Sequence, residues 1–345
     1  VIGTNVPGTC LGDGLERLAT MADRLAIVRS VHTRTGDHTD GQYVMRTSYR
    51  PTNVVRHPAV GSWALKTSEY DGDLPGYVLV GDGNVHPGAG FLGPAYAPIS
   101  VIDPTSALPR GVTETDLHKR LLIATHVDNG FRKRYHEETV SAYDAMYART
   151  VRLVGSKDTK AFDLSSEPDS VKERYGRTVF AKGCLLARRL VEAGVPFVDV
   201  DGDPGWDMHS GMFAADSFPM KIREFDMATS ALLDDLEGRG LLETTLVVIA
   251  TEFGRTPLVN AAGGRGHHPS VFSCVLAGAG VKRGVVHGSS DERAYALDSD
   301  GVSVPDFNTT IAAAAGLPYE TDFRAPNGRP FRIGGEGKPV TAILA

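Results

Sequence analysis

The feature that most constrains the fold is a repeated alternation of short apolar runs with longer amphipathic segments. The runs are rich in Val, Ile and Leu and are too short for buried helices, so we predict that each is a β-strand. Strands separated by helices are typical of an α/β domain with a mostly parallel central sheet and helices on both faces. The predicted strands are residues 25–31, 77–80, 196–200, 245–250 and 271–277.

Four segments between these runs have the features of helices. Two carry apolar residues at the 3.6-residue spacing of an amphipathic helix and end next to Gly194 or Gly238, since glycine commonly terminates helices. The other two are dense in charge, and we predict that they pair as a helical hairpin. With the Gly- and Pro-rich loop before them, they form an excursion over residues 81–160 from a single domain over residues 1–345. The predicted helices are residues 171–193, 217–237, 113–128 and 130–155.

Composition and missing motifs exclude several classes of function. The chain has 36 Lys and Arg against 42 Asp and Glu, a net charge of −6, and no basic run, so we expect no nucleic-acid partner. No apolar stretch approaches the roughly 18 residues of a membrane span. The motifs of serine hydrolases, P-loop proteins and dinucleotide-binding proteins are absent. Of the three cysteines, Cys184 and Cys274 lie in apolar runs that predict buried thiols.

Polar side chains are concentrated directly after three of the predicted strands and in the Gly-rich loop before the strand at 271–277. In an open parallel sheet, the loops at the carboxyl ends of the strands converge, and ligands bind there. We therefore expect the four groups to meet at one edge of the sheet. The groups are His32, Asp37, His38 and Asp40; Asp201, Asp203, Asp207 and His209; Thr251, Glu252 and Arg255; and Arg265, His267 and His268.

The mixture of carboxylates and imidazoles indicates a divalent-metal site. Such donors suit zinc or manganese. Asp207 and His209, two residues apart in GWDMHSG, can reach one ion from the same side, and Trp206 can shield that ion from water. The alternative interpretation of this segment is a solvated turn.

The two later groups add ligand and anion-binding chemistry. Glu252 follows a fully apolar strand, so it either lies at a site or is neutralised by Arg255. His267 and His268 are adjacent, so we expect one to bind metal and the other to donate to a substrate oxygen or pack on the loop. Arg255 and Arg265 offer planar forks for phosphate or sulfate, or else form structural salt bridges.

Five segments together resemble a known bacterial family, the domain of unknown function 1501. This family is similar in fold to alkaline phosphatases and sulfatases, so the resemblance implies an alkaline-phosphatase-like α/β fold. The segments are RLAIVRSVHT at 24–33, LLARRLVEAGVPFVDV at 185–200, GWDMHSG at 205–211, RGLLETTLVVIATEFGRTP at 239–257 and GGRGHHPSVFSCVLAGAGVKRG at 263–284.

The resemblance also implies roles for individual residues. The strand before Glu252 resembles one that ends in an Asp-His-Gly metal motif, with Phe253 in place of the imidazole. The segment HTDGQYVMRTSYRP at 38–51 is similar to the sulfatase signature, with His38 at the position of the nucleophile. The implied cofactor is a divalent zinc, manganese or calcium ion. The implied metal ligands are Asp207, His209, Glu252 and His267.

The implied function is metal-dependent hydrolysis of phosphate or sulfate esters of small molecules or glycans. The alternative is a catalytically inactive family member that binds glycans or other polymers outside the cytoplasm. The family further implies export to the periplasm or cell surface, with an export signal and a first strand upstream of Val1. The candidate catalytic residues are His38, Arg255 and His268, and His38 is either a further metal ligand or the residue in the place of the nucleophile. The candidate substrate-binding residues are Arg265, His32 and Trp206.

Overall fold

The structure is a computed structural model that describes residues 1–81, 85–102, 156–202 and 205–345. The predicted helical hairpin at 113–128 and 130–155 lies outside the described residues. The helices are α1 (Glu16–Ala19), α2 (His38–Thr47), α3 (Val60–Thr67), α4 (Asp169–Tyr175), α5 (Val179–Glu192), α6 (Phe218–Gly238) and α7 (Val304–Ala314). Short 3-10 helices span Ala22–Arg24, Gly90–Leu92, Pro94–Tyr96, Lys157–Phe162, Leu164–Ser166 and Thr341–Ile343.

Each of the five predicted strands is present, together with shorter ones. The predicted helix at 171–193 is divided between α4 and α5 at Gly176, whose φ of +108° lies in a region that favours glycine. The strands are β1 (Ile2–Gly3), β2 (Cys10–Leu11), β3 (Leu25–His32), β4 (Tyr77–Val80), β5 (Ile99–Val101), β6 (Phe197–Val200), β7 (Leu246–Ile249), β8 (Gly254–Arg255), β9 (His267–His268), β10 (Phe272–Gly278), β11 (Val285–His287), β12 (Ser289–Ser290), β13 (Leu297–Ser299), β14 (Val302–Ser303), β15 (Phe323–Arg324) and β16 (Pro330–Phe331).

The central sheet is mixed, so the prediction of a mostly parallel sheet was wrong. Within the described residues, one sheet has the order β11-β3-β10-β7, with β14 also paired to β3, and a smaller parallel sheet has the order β5-β4-β6. Strand β10 runs antiparallel to both β3 and β7. The physical reason is the connection from β7 to β10, which contains no helix and therefore does not require the crossover of a parallel pair.

Helices cover both faces of the larger sheet, as predicted. Ala26 and Val28 of β3 pack in an apolar cluster with Phe307 of α7. Leu25 and Ile27, which point to the opposite face, pack in a second cluster with residues of α1 and α6. Successive side chains of β3 thus pack against helices on opposite faces, so the larger sheet is the middle layer of a three-layer structure.

The edge strands of the two sheets, β6 and β7, line one cavity. In the part of the chain that the structure describes, β6 pairs only with β4, and β7 pairs only with β10. A cavity of about 2060 Å³ is lined by both strands. At the carboxyl ends of the strands, the same cavity is lined by His38, Asp207 and Glu252. Members of the expected polar groups therefore line this cavity.

Two further expectations from the sequence concern cysteines and membranes. Cys184 and Cys274 are buried free thiols, as predicted, and burial raises the pKa of each to about 12. They are therefore poor nucleophiles at neutral pH. Among the described helices, none is long and apolar enough to cross a membrane.

Candidate functional site

The carboxylate of Asp207 is the centre of the site. Its Oδ2 lies 3.2 Å from Nε2 of His38, and its Oδ1 lies 3.1 Å from Nε2 of His267 and 2.9 Å from Nε2 of His209. Arg255 donates a hydrogen bond to the same Oδ1. Burial acts to raise the pKa of Asp207, but the hydrogen bond and the positive charge of Arg255 outweigh it and hold that pKa well below its usual range. Asp207 is therefore ionised at neutral pH.

These five side chains come from separate parts of the chain. His38 is the first residue of α2, and the side chain of Asp37 caps this helix by accepting a hydrogen bond from the backbone N–H of Asp40 at 3.0 Å. Asp207 and His209 lie in the segment after β6, and Arg255 and His267 lie on the paired strands β8 and β9. We define these five side chains, with Glu252, as the carboxylate–imidazole cluster.

The Nδ1 atoms of two imidazoles are each bonded to an acceptor. Nδ1 of His38 lies 2.6 Å from Oε1 of Glu252, and Nδ1 of His267 contacts the carbonyl oxygen of Gly36. Because a carboxylate and a carbonyl only accept, each Nδ1 carries the proton, and in the neutral ring Nε2 presents a lone pair. The buried Nε2 of His38 makes no hydrogen bond within the described residues. Metal-binding histidines typically direct one ring nitrogen at the metal position and donate a hydrogen bond from the other ring nitrogen to a carboxylate or carbonyl oxygen. His38 and His267 have this arrangement.

Three of these residues satisfy a geometric requirement for metal binding. His38, Asp207 and His267 each offer a ligand atom, and the three atoms lie within 4.8 Å of one another. Nε2 of His209 lies 3.0 Å from Nε2 of His267, at the exposed side of the group. The structure therefore places His38 among the possible ligands and Glu252 behind it, as the acceptor that orients its ring.

Phe253 forms the apolar floor of the cluster. Its ring, only 4% exposed, has its centroid 4.9 Å from that of His38 and 4.5 Å from that of His267. The Arg255 guanidinium lies 5.6 Å from the same centroid. Where the related motif has an imidazole, this chain therefore has a ring that packs against two imidazoles and a cation.

The loop that carries His209 is held by residues that the sequence analysis missed. Asn260 donates from Nδ2 to the carbonyl of His209 at 2.9 Å, and its Oδ1 accepts from the backbone N–H groups of Ala262 and Gly264. A Cβ at Gly264 would lie 2.1 Å from the carbonyl carbon of His209. The signal was an Asn three residues before a Gly pair, which is typical of a side-chain-stabilised turn.

Other candidate residues lie outside the cluster. Arg265 donates from Nη1 to the carbonyls of Thr256 and Pro257 at 2.7 and 2.6 Å, so this nitrogen holds the loop. His268 is buried, with its ring 5.6 Å from that of Tyr295, on the side of β9 opposite to His267.

The remaining two candidates, His32 and Trp206, have different surroundings. His32 ends β3 and pairs with Ser303 of β14. Trp206 packs edge-on against Phe218 and Phe225 of α6 and lines the same cavity as the cluster. The structure therefore brings Trp206 near the cluster through the cavity and gives His32 a place at the end of its strand.

Comparisons with known proteins give a family and distant structural likenesses. Residues 1–344 match the family described as "Protein of unknown function (DUF1501)". No curated protein matches the chain. The chain is similar to the crystal structure of PsFucS1 sulfatase from Pseudoalteromonas sp., with 13% identity and a TM-score of 0.43 over 89% of this chain and 63% of that one. It is also similar to Ps i-CgsB in complex with k-i-k-neocarrahexaose, with 11% identity and a TM-score of 0.44 over 88% and 66% of the two chains. The chain thus spans less than two thirds of the length of either structure.

Proposed function

The chain belongs to the DUF1501 family, whose description assigns no activity, and we propose that it is an alkaline-phosphatase-like, metal-dependent hydrolase of phosphate or sulfate esters. One observation carries the proposal: the Nε2 atoms of His38 and His267, each with its Nδ1 held by an acceptor, point at the ionised carboxylate of Asp207. Lone pairs that converge in this way repel one another, and a divalent cation among them would remove that repulsion.

The donor set favours particular metals and particular ligands. A mixed set of imidazole nitrogens and carboxylate oxygens suits zinc or manganese, whereas calcium prefers oxygen donors alone. We propose His38, Asp207 and His267 as ligands, with His209 as the fourth because its Nε2 lies beside both Asp207 and His267. Glu252 orients the ring of His38 from outside this set.

Arg255 and the open position of the cluster supply the remaining chemistry. A divalent cation bound here would polarise an ester oxygen and lower the pKa of water. Arg255 donates to Asp207, and its other N–H groups, which make no hydrogen bond to described residues, can stabilise the charge that develops on the ester oxygens. The side chains of Asp207 and His209 are 43% and 51% exposed, so water reaches the cluster to attack and to protonate the leaving oxygen.

Hydrolysis of simple esters tests the proposal. We expect the chain to hydrolyse p-nitrophenyl phosphate or p-nitrophenyl sulfate with zinc or manganese, to lose activity on chelation and to regain it when metal is restored. Arg255→Met, assayed at saturating metal so that a change in metal affinity does not enter the comparison, should lower kcat/KM at least about tenfold. Arg283→Met, on an exposed pair with Glu237, is the matched control. Metal-loaded protein that turns over neither ester contradicts the hydrolase and leaves the binding of glycans or other polymers.

Replacement of Gly264 by alanine is expected to weaken metal binding without unfolding the domain. The added Cβ would overlap the backbone of His209, so the loop must move and carry this imidazole away from Asp207. We expect zinc affinity, measured by calorimetry, to fall about tenfold, with an unchanged far-ultraviolet circular dichroism spectrum. Gly238→Ala is the control, because a Cβ at Gly238 meets nothing within 4 Å. Equal zinc affinity in the two variants would remove His209 from the ligand set.

A further inference from the structure

One face of α2 carries a second polar group that contacts the other sheet. His38, Gln42 and Arg46 are spaced four residues apart, so they lie on the same side of the helix, and all three line the cavity between the sheets. Two turns from His38, Arg46 donates from Nε to Asp199 Oδ2 at 3.2 Å and from Nη2 to Asp201 Oδ1 at 2.5 Å. Arg46 thus contacts two carboxylates at the end of β6.

This contact joins two sheets whose strands do not pair with each other in the described residues. Helix α2 follows β3 of the larger sheet, and its Met45 carbonyl accepts a hydrogen bond from Asn308 of α7. Asp199 and Asp201 belong to the end of β6, in the smaller sheet, and the chain continues from there to Asp207. The cluster needs His38 from α2 and Asp207 from the segment after β6. Backbone hydrogen bonds tie the segment after Asp207 to the loop before His267, but they do not reach α2. The distance from His38 to Asp207 therefore depends on how α2 is held against the end of β6.

The ion pairs of Arg46 are shielded enough to hold this geometry. The side chains of Arg46 and Asp199 are 21% and 20% exposed, so their attraction is screened less than that of a surface pair. His86 also faces Asp199, with Nε2 at 3.5 Å from Oδ2. Burial acts to raise the pKa of Asp199, but His86 and Arg46 outweigh it and lower that pKa, so the carboxylate stays charged.

We infer that Arg46 is a positioning residue for the metal cluster: by bridging Asp199 and Asp201, it fixes the separation between His38 and Asp207. The inference rests on the proposed function, because it assumes that the cluster binds a divalent metal. Arg46 itself lies two helical turns from the ligand His38 and contacts no ligand in the described residues. Its effect therefore acts through the placement of α2.

Metal affinity and the spectrum of bound cobalt test the inference. In Arg46→Met, we expect zinc affinity by calorimetry to fall about 10- to 100-fold, as for other groups that orient metal ligands. The visible absorption of the cobalt(II)-loaded variant should also change in position and intensity, because the ligands shift. Arg46→Lys keeps the charge and should restore part of the affinity, since an ammonium can pair with one of the two carboxylates. Arg50→Met, an exposed position near the end of α2, is the control.

The outcomes separate this inference from the proposed function. Zinc affinity within twofold of the parent and an unchanged cobalt spectrum in Arg46→Met would overturn the positioning role, whatever happens to the melting temperature. A parent protein that binds neither zinc nor cobalt would overturn the proposed metal site and this inference with it. Should Arg46→Met not fold, Asp199→Asn carries the same test from the other side of the ion pair, with the same expected loss and the same contradicting result.

Discussion

Asp207→Asn is expected to abolish metal binding and ester hydrolysis together. The substitution keeps the size of the side chain but removes the charge on which His38, His209, His267 and Arg255 converge. Loss of groups that merely orient ligands costs about 10- to 100-fold in metal affinity, and loss of a charged ligand costs more. We therefore expect zinc affinity, measured by calorimetry, to fall at least about 100-fold, with hydrolysis at background.

The control for this prediction is Asp216→Asn. Asp216 is an exposed carboxylate nine residues farther along the chain, and it has no hydrogen bond or ion pair in the described structure. Asp216→Asn should bind zinc as the parent does. Parent-like zinc affinity in Asp207→Asn would mean that the carboxylate is not a ligand and that the imidazoles pair with it only as protonated rings.

Arg188→Met is expected to lower the free energy of unfolding more than any surface substitution. Arg188 is 1% exposed, and its guanidinium lies 2.7 Å from Glu167, 2.6 Å from Glu192 and 3.7 Å from Asp235. Glu167 and Asp235 are themselves buried, and removal of the cation leaves Glu167 with Arg189 alone, whereas Asp235 keeps Arg174 and Tyr175. Breaking such a buried pair costs about 3–5 kcal/mol, and we expect the lower value because Arg189 also reaches Glu167. Urea denaturation at pH 7 measures the loss.

The pH dependence of this loss has a defined sign. Burial acts to raise the pKa of Glu167, but hydrogen bonds from Arg188 and Arg189 outweigh it and lower that pKa. A carboxylate with a lowered pKa in the folded state stabilises the protein above its unfolded pKa of about 4.3 and loses that contribution as the pH falls through the folded value. The difference in free energy of unfolding between the parent and Arg188→Met should therefore become smaller as the pH falls. The control is Arg283→Met, because the side chain of Arg283 is 55% exposed and its loss should lower the free energy of unfolding by under about 1 kcal/mol. An equal decrease in the two variants would contradict the structural role of Arg188.

The sequence was sufficient to predict the strands but not their directions. The five apolar runs are strands because burial on two faces selects continuous apolar residues, and this requirement acts on each run alone. Direction depends on the connection between runs. The segment from Ile249 to Phe272 contains the β8–β9 pair and no helix, and nothing in its composition distinguishes a return in the antiparallel direction from a loop before a parallel strand.

The candidate site was predictable as a set of residue types and not as an arrangement. Aspartate and histidine after strands predicted a metal-ligand group, and the structure brings His38, Asp207 and His267 together. The sequence alone could not show that Glu252 lies behind His38, or that Gly36 orients His267 through a backbone carbonyl, because both contacts join distant segments. For the same reason, the spacing of two adjacent histidines gave no indication of which ring faces the cluster, and only the family resemblance implied His267.

The most direct test of the metal site is anomalous diffraction from crystals of the protein grown with zinc or manganese and measured at the absorption edge of that metal. We expect one strong peak among Nε2 of His38, Nε2 of His267 and the carboxylate of Asp207, about 2.0–2.2 Å from each ligand atom. No peak at this position in metal-treated crystals, with the imidazoles still in contact with Asp207, would contradict the metal site and the hydrolase proposed from it.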